Sequence, residues 1–379
     1  MPSRISTPPP AVHTAPLSKH QTAITVTQHG TFAVSASAPM PQLLPNSALI
    51  RTAAVALNPV DAKILDYSAA PGTTAGYDFA GTVVALGHAA LAKGSLHVGD
   101  RVAGMVHGMN KLNPAGGAFA QYVAADADLV LRVPDGMGWG EAATLGMGVS
   151  TAVLGLFVEL QVPAKLAALG GAEGAHEDGT GPFVLVAGGS TATGTRAIQL
   201  LKLAGFRPIA TCAPRHFRLA KRFGAAATFD YHDDKTAAAI RAYTHNELAY
   251  AFDCISTAET TQLCYDALGR AGGRYTALEP FRTAVTNKRS LTVSPSWLLA
   301  LTIFGEKVVL DGEYAREPLP EHRKVGIEAY AAVQKLLDRG LLDAHPAKVV
   351  KGSWQDVIKG VDEVRAQTLS GVKLVYLVQ

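Results

Sequence analysis

The stretch that most restricts the fold of this chain is residues 182–200, PFVLVAGGSTATGTRAIQL, where an apolar segment leads through glycines directly into a helical pattern. Phe183–Ala187 predicts a buried parallel strand, and a helix is predicted to start near Thr191. The N-terminal N–H groups and dipole of such a helix bind phosphate, and Gly188 and Gly189 let the backbone approach it. The segment therefore predicts a dinucleotide site, although Thr191 replaces the middle glycine of G-x-G-x-x-G. An ordinary turn between a buried strand and a helix is the alternative.

The end of the next predicted strand, residues 207–212, bears on which nicotinamide nucleotide would bind. NAD-binding proteins carry Asp or Glu about 20 residues after the glycine turn, where it bonds the ribose hydroxyls. Here Ala213, Pro214, Arg215 and His216 follow the strand, and none of them is an acid that would repel a 2′-phosphate. We therefore expect NADPH, with Arg215 as the first choice for the phosphate. Further basic residues either add positive charge there or form a solvated helix face: Arg218, Lys221 and Arg222.

Length, charge and hydropathy exclude several classes of protein. At 379 residues the chain is too long for one ordinary core, and two domains are expected. The 34 basic and 31 acidic residues leave +3, too little for a nucleic-acid partner. The longest apolar run, 145–160, is interrupted by polar residues and is shorter than the ~20 residues that a bilayer requires. Residues 1–20 lack the apolar run of a signal peptide and predict a loose tail, so we expect a cytoplasmic protein with no membrane partner.

The cysteines and histidines do not predict a metal site. Cys212, Cys254 and Cys264 show no C-x-x-C spacing, so neither a disulfide framework nor a zinc lobe is expected. The 12 histidines form no His-Cys or His-Glu cluster with ligand spacing, and His97 and His107 are interpreted as loop or surface residues. The sequence therefore predicts chemistry without a metal.

The pattern of strands and helices predicts an α/β protein with two domains. Short strands punctuated by Gly and Pro run through residues 1–150 and predict a partly open β-barrel. From Phe183 strands alternate with helices, as in a doubly wound parallel sheet. We assign residues 151–309 to this dinucleotide-binding domain and residues 310–379, with a helix at 324–338 and a strand at 373–378, to the first domain. Residues 164–181 are predicted to be an exposed insertion without a catalytic part.

Several motifs together resemble the medium-chain dehydrogenase/reductase superfamily: NPVD (58–61), GYDFAGTV (76–83), VGDRV (98–102) and GGSTATGT (188–195). Longer runs, among them PIATCAPRHF (208–217), LAKRFGAAATFDY (219–231) and LSGVKLV (369–375), are similar to the trans-acting enoyl reductases that fungal iterative polyketide synthases of the lovastatin type recruit. The resemblance spans nearly the whole chain. It implies a GroES-like catalytic β-barrel beside a Rossmann domain. In the zinc-using branch a His-Glu pair follows the glycine that corresponds to Gly76, and because Tyr77-Asp78 stands here, the zinc-free branch is implied.

The resemblance also implies a set of ligand-binding residues. The implied NADPH contacts are Val60, Asp61, Lys63, Ser190, Thr191, Ala192, Thr193, Ala213, Pro214, Arg215, His216, Tyr231, Leu278, Glu279, Val372 and Lys373. Relatives have serine where this chain has Ala213, so one phosphate hydrogen bond is expected to be missing. The implied substrate contacts are Ala152, Val153, Leu154, Gly155, Leu156, Phe157, Val158, Glu159, Ala300, Leu301, Thr302, Ile303 and Phe304.

Hydride from NADPH would reach the β-carbon of an α,β-unsaturated thioester, and the enolate oxygen that forms then needs a hydrogen-bond donor. Lys63 is the candidate donor to cofactor or enolate, and Thr151 would orient the nicotinamide ribose. Each has an alternative: an exposed lysine after a turn, and a threonine bonded to a carbonyl one turn earlier. Asp61 equally fits an N-cap of a helix beginning at Ala62, and Asn58 fits ordinary turn chemistry. The α-carbon proton comes from water or Lys63.

The expected partners are an iterative polyketide synthase and the enoyl thioester on its acyl carrier domain. Arg282, Lys288 and Arg289 would form a basic rim for an acidic carrier, or a solvated loop. The segment PFRTAVTNKRS (280–290) places proline and cations where relatives pair sheet edges, so we expect a monomer. The alternatives are a stand-alone quinone or alkenal reductase and a non-catalytic module that binds the synthase.

Overall fold

The computed structural model describes residues 18–28, 30–166, 169 and 180–378. The predicted loose tail lies outside these residues up to position 17, and so does most of the predicted insertion at 164–181. The chain divides into two compact units. The first contains residues up to Gly146, Ala347–Thr368 and the chain from Leu374, and the second contains Met147–Pro346 and Leu369–Lys373.

Fifteen strands are found in the described residues. In chain order they are β1 His20–Val26, β2 Phe32–Pro39, β3 Ser47–Ala56, β4 Asp78–Leu86, β5 Arg101–Met105, β6 Tyr122–Asp126, β7 Val130–Arg132, β8 Phe183–Ala187, β9 Arg207–Thr211, β10 Ala227–Phe229, β11 Tyr250–Asp253, β12 Gly273–Ala277, β13 Val293–Trp297, β14 Ala347–Lys351 and β15 Lys373–Leu377. The bounds of β8 are those that the sequence predicted.

Eleven α-helices are found in the same residues. They are α1 Pro59–Ser68, α2 His88–Lys93, α3 Trp139–Ala142, α4 Gly146–Val153, α5 Ala192–Leu203, α6 Phe217–Arg222, α7 Thr236–Tyr243, α8 Ala258–Ala267, α9 Thr283–Thr286, α10 Pro320–Asp338 and α11 Trp354–Arg365. A π-helical segment, Leu154–Glu159, continues α4, and a 3-10 segment, Ala300–Phe304, follows β13. The stretch Trp139–Glu159 is long and apolar enough to cross a membrane, but 83% of its most apolar window is buried inside the protein, which favours a core helix.

The second unit is built on a parallel sheet in the order β10-β9-β8-β11-β12-β13. All five residues of β8 are buried, as expected for a central parallel strand covered by helices on both faces. From β8 to β10, each successive strand lies next to the one before it on one side of β8. The next strand in the chain, β11, pairs with the other side of β8, so the strand order reverses between β8 and β11. The predicted doubly wound sheet is confirmed, and the carboxyl ends of β8 and β11 mark the expected ligand site.

The first unit contains an antiparallel sheet along the path β14-β15-β3-β4-β5-β7, with β6 also paired to β3. β3 pairs with β4 along one edge and with β6 and then β15 along the other. Two register shifts between β3 and β4 bend this long strand. A β1-β2 hairpin forms a separate two-stranded sheet, and Ala23 bridges to Ala120. Short strands that form a partly open β-barrel were predicted for residues 1–150, and the domain's fold class is confirmed.

The return of the chain to the first unit differs from the predicted position at residue 310. It occurs at Ala347, and α10, expected in the first domain, belongs to the second unit. Its contacts give the reason, because the Tyr330 hydroxyl lies 2.8 Å from Ser150 Oγ and His322 Nδ1 lies 2.8 Å from Thr302 Oγ1. Thus α10 supports the two segments that were predicted to bind substrate.

Candidate active site

The glycine turn after β8 has the geometry of a phosphate-binding site. Gly188 has φ +79°, and the N–H groups of Gly188 and Gly189 both donate to Thr211 O at 3.0 Å, which fastens the turn to β9. Thr191 is the N-cap of α5, and its Oγ1 accepts from Gly194 N at 2.9 Å. A Cβ at Gly194 would lie 2.3 Å from Gly188 O, so this close approach of helix and turn requires glycine. The four predicted pyrophosphate residues are half-buried at the helix start: Ser190, Thr191, Ala192 and Thr193.

The predicted 2′-phosphate corner follows β9, and a distant segment packs against it. Arg215 is exposed, and its Nη2 donates to Ser370 Oγ at 3.1 Å. His216 Nε2 lies 2.8 Å from the same oxygen. Gly371 has φ +68°, and a Cβ there would lie 2.5 Å from His216 Cε1. Ser370 was not predicted, although the glycine after it is a visible signal of close packing. The predicted Val372 lies beside it, 37% exposed, while Lys373 is buried.

An acid that sequence reasoning missed lies near this corner. Asp230 follows β10. Burial, and to a lesser extent the charge of Asp230, raise the pKa of Cys212, the residue after β9, to about 11. Asp230 Oδ1 accepts from His232 N at 3.1 Å and lies 2.8 Å from His232 Nδ1. These hydrogen bonds lower the pKa of Asp230, so it is ionised. The predicted Tyr231 is exposed, and its ring lies 4.0 Å from that of His232.

The residues predicted to flank the nicotinamide, Leu278 and Glu279, follow β12 and are held by side chains from other segments. Leu278 N donates to Ser256 Oγ at 2.8 Å. Glu279 Oε2 accepts from the Tyr314 hydroxyl at 2.7 Å. The Tyr314 ring packs edge-on against Trp297, with centroids 5.4 Å apart. Tyr314 was not predicted, because nothing in the sequence connects it to β12.

A buried carboxylate fixes the loop after β11. Asp253 accepts from Ile255 N and Ser256 N, at 3.0 and 2.9 Å, and from Thr260 Oγ1 and the Tyr275 hydroxyl, at 2.8 and 3.0 Å. Burial raises the pKa of Asp253 despite these four donors. The network holds the Ser256 hydroxyl where Leu278 N reaches it.

Thr151 is 5% exposed, and its hydroxyl donates to Met147 O at 2.6 Å, so the bond to a carbonyl one turn earlier, one of the two interpretations, is confirmed. The predicted substrate residues Ala152–Leu156 and 301–303 are buried. A Cβ at Gly155 would lie 2.5 Å from the Phe252 ring, so the helix packs closely on β11. The remaining predicted substrate residues are half-buried: Phe157, Val158, Glu159, Ala300 and Phe304.

The predicted residues of the first unit lie on α1. This helix begins at Pro59 rather than Ala62, with Asn58 as N-cap. Asp61 therefore occupies the third helical position, where its Oδ2 accepts from Asn58 N at 2.7 Å. Asn58 Nδ2 also donates to Asp78 Oδ2 at 3.0 Å. Lys63 is exposed on the helix, Val60 is half-buried and Asp61 is fully buried. The N-cap prediction for Asp61 is thus wrong, because Asn58 is the N-cap and Asp61 binds the Asn58 N–H from the third helical position.

The donor groups present do not fit a zinc ion. Among the described residues, no three His, Cys, Asp or Glu side chains are grouped to hold a metal. All three cysteines are buried, and burial raises the pKa of each thiol, to about 11 for Cys212 and well above the ordinary value for Cys254 and Cys264. Protonated thiols are poor metal ligands. Tyr77 and Asp78, the pair at the corresponding position of the barrel, are fully buried, and burial and the Asp61 charge raise the pKa of Tyr77.

Both parts of the chain match known domain families. Residues 44–135 match the alcohol dehydrogenase GroES-like domain, and residues 192–306 match the zinc-binding dehydrogenase domain. The fold is also that of solved structures. An alcohol dehydrogenase superfamily protein from Novosphingobium aromaticivorans aligns with a TM-score of 0.73 at 23% identity, over 95% of this chain and 100% of the other. The CurK enoyl reductase aligns with a TM-score of 0.71 at 18% identity, over the same shares.

Other relatives match at much higher identity. The trans-enoyl reductase caaB of Aspergillus niger is 62% identical over 94% of this chain and 97% of its own length. The trans-enoyl reductase traG of Penicillium crustosum is 56% identical over 95% of this chain and 98% of its own length. The trans-enoyl reductase thnE of Trichoderma harzianum is 55% identical over 95% and 96%. These matches cover nearly every element described above.

Proposed function

The chain belongs to the trans-enoyl reductases of the medium-chain dehydrogenase/reductase superfamily, and on that premise we propose that it reduces an α,β-unsaturated polyketide thioester carried by the acyl carrier domain of an iterative polyketide synthase. The observation that carries the proposal is 62% identity to a trans-enoyl reductase over nearly the full length of both chains. The glycine turn at the reversal of strand order supports a nicotinamide cofactor.

We propose NADPH as this cofactor. Two features support it: the exposed guanidinium of Arg215 after β9, and the lack of an acid on that strand end. Asp230 is the one described acid found to act on the corner, and its Oδ1 is occupied by the backbone and side chain of His232. When bound, NADPH supplies the hydride, and the residues of the chain hold it and stabilise charge.

Lys63 and Thr151 have the proposed roles in the reaction. An ammonium at Lys63 donates to the developing enolate oxygen, and one well-placed donor of this kind stabilises a transition state by about 3 kcal/mol. The Thr151 hydroxyl already donates to Met147 O, so toward a ribose hydroxyl it acts as an acceptor. The α-carbon proton comes from water or Lys63. The proposal includes no metal-dependent step, because the donor groups among the described residues do not fit a metal.

We propose that the protein is a monomer and that it is located in the cytoplasm. The exposed Pro295 in the edge strand β13 supports the monomer, because proline lacks the N–H that sheet extension requires.

The test of the proposed function is NADPH oxidation by the purified chain with an enoyl pantetheine thioester and with the same acyl group on a carrier domain. We expect oxidation with both, and a 10²-fold or greater loss of kcat on Lys63→Ala, since one donor of about 3 kcal/mol is removed. Activity on small enones alone would instead assign a stand-alone alkenal reductase. Absence of oxidation with every thioester would refute the enzyme function.

A further inference from the structure

A basic pocket lies at one end of the strands of the parallel sheet, opposite the end that carries the glycine turn. It has a volume of about 450 Å³, and its lining includes Arg241, Tyr265, Asp266, Arg270 and Arg289. These residues lie near the carboxyl ends of α7 and α8 and in the segments that lead into β12 and β13. The pocket is therefore at the amino ends of the strands. A strand of five residues is about 16 Å long, so the sheet separates this pocket from the cofactor turn.

The arginines keep a net positive charge in the pocket. Arg289 donates to the backbone oxygens of Tyr265, Leu268 and Gly269, at 2.9, 3.0 and 2.6 Å, and Arg241 donates to Asp266 O. Carbonyl acceptors hold these guanidiniums in place without neutralising their charge. Arg270 is exposed, and the structure shows no hydrogen bond or ion pair between its side chain and another described residue.

A single carboxylate accompanies the three arginines among the described lining residues. Asp266 Oδ1 accepts from Gln262 Nε2 at 2.8 Å, and Gln262 Oε1 accepts from Lys288 Nζ at 2.9 Å. Lys288 thus adds a fourth positive charge at the rim of the pocket, where the neutral side chain of Gln262 links it to Asp266. Tyr265 contributes a buried hydroxyl that has no hydrogen-bond partner among the described residues. Burial raises its pKa to about 12, so it remains a protonated donor.

An apolar side chain stands beside these charges. Leu291, two residues after Arg289, is 99% exposed. Protein interfaces combine arginines with an apolar anchor of this kind, whereas a small anion would need only the charges. A second copy of this chain would bring a like-charged surface, and Pro295 in β13 opposes pairing of strands along this edge.

We propose that the basic pocket and Leu291 bind an acidic segment of the polyketide synthase, with its carboxylates at the arginines and an apolar recess over Leu291. The proposal rests on the proposed function, because that function supplies the synthase as partner. Docking at the amino ends of the strands leaves the carboxyl ends, with the glycine turn, uncovered. The reductase can therefore stay bound to one part of the synthase while a carrier domain delivers substrate to the carboxyl ends of the strands.

The test uses the full chain with the purified synthase of the same gene cluster and measures Kd by biolayer interferometry at 50 and 200 mM salt. Arg270→Glu and, separately, Leu291→Ser are expected to weaken binding at least 10-fold, and Arg270→Glu to reduce the salt dependence. Lys324→Glu, the same charge change on the exposed face of α10, is the matched control and should bind as the unsubstituted chain does.

Partner-free turnover separates failure of docking from failure of the enzyme function. Both substituted residues are exposed and far from the glycine turn, so NADPH oxidation with an enoyl pantetheine thioester should be unchanged in both variants. If Arg270→Glu binds the synthase as tightly as Lys324→Glu while turnover is intact, the docking site is wrong and the function stands. Lack of binding by the unsubstituted chain would also overturn the docking proposal, and lack of turnover in every variant would overturn the function.

Discussion

At the scale of single residues, we expect selectivity between the two nicotinamide nucleotides to depend on Arg215. Its exposed guanidinium follows β9, and Arg215→Ala leaves the contact between His216 and Ser370 in place. We expect KM for NADPH to rise about 10-fold or more and KM for NADH to change little, because a charge-assisted hydrogen bond to phosphate is lost. Steady-state kinetics with both cofactors measure this. Arg218→Ala is the control, and an equal rise in KM there would mean that general positive charge, not Arg215, binds the phosphate.

Tyr314 is expected to act as a positioning residue through Glu279. Tyr314→Phe removes the 2.7 Å hydrogen bond to Glu279 Oε2 and keeps the ring against Trp297. A hydrogen bond to a charged group contributes about 1.5 to 3 kcal/mol, and if part of this orients the nicotinamide end, kcat falls roughly 3- to 30-fold. Glu279→Gln keeps an acceptor and should lose less. An unchanged kcat accompanied by a lower Tm would show that the contact only stabilises the fold.

The sequence predicted site residues best where they follow one another along the chain. The glycine turn and Arg215 were predicted from a turn and a strand end, whereas Ser190 to Thr193 were implied by the family resemblance. All of them follow the carboxyl ends of β8 and β9 in the structure. Ser370, Asp230 and Tyr314 were missed because they reach the site from segments distant in sequence or from another strand end. No local pattern records such contacts, since they depend on which strands become neighbours.

At the scale of elements, we expect cofactor binding to depend on the junction between the glycine turn and α5. A Cβ on Gly194 would lie 2.3 Å from Gly188 O, a backbone atom that cannot move alone. Gly194→Ala is therefore expected to cost at least about 2 kcal/mol of unfolding free energy, and to abolish NADPH binding by displacing the helix N-terminus. Urea denaturation and isothermal titration calorimetry measure the two effects. Gly136→Ala, where the added Cβ meets nothing within 4 Å, should change neither.

Individual elements were predictable to different degrees. The buried apolar strand β8 was predicted with its observed bounds, because a continuous apolar run flanked by turn residues is typical of a central parallel strand. The strand β13, VSPSW, was not predicted, since proline opposes strand formation, yet the edge of the sheet accommodates it. The helix α11 was not predicted either, and α10 was placed in the wrong unit, because amphipathic patterns do not say which core a helix covers.

At the scale of the whole molecule, the free energy of unfolding at acid pH is expected to depend on His345. It is 2% exposed, its Nδ1 lies 2.9 Å from Thr195 Oγ1, and burial, with the charges of Arg196, Lys373 and His216, lowers its pKa to about 3. Between this value and the ordinary pKa of 6.5, the unfolded chain binds a proton that the folded chain does not. Stability therefore falls as pH falls, by about 2 kcal/mol between pH 7.5 and 5.0.

The measurement is the free energy of unfolding in urea at pH 7.5 and 5.0 for the unsubstituted chain and for His345→Gln. The variant should lose less stability on acidification, by up to about 2 kcal/mol. His107, whose pKa burial lowers to about 4, acts in the same direction in both proteins and cancels in the comparison. Equal losses in the two proteins would show that His345 does not control the acid response.

The sequence by itself determined the doubly wound sheet, the phosphate-binding turn and the basic end of β9, because each is encoded by residues adjacent in the chain and by the burial that their hydropathy demands. Its longer motifs also identified the family. Only the tertiary structure determined that Ser370 contacts Arg215 and that Tyr314 donates a hydrogen bond to Glu279. It also determined that α10 packs in the second unit and that four cations lie at the amino ends of the strands. These arrangements join segments up to 180 positions apart, and packing, rather than local propensity, sets which of them touch.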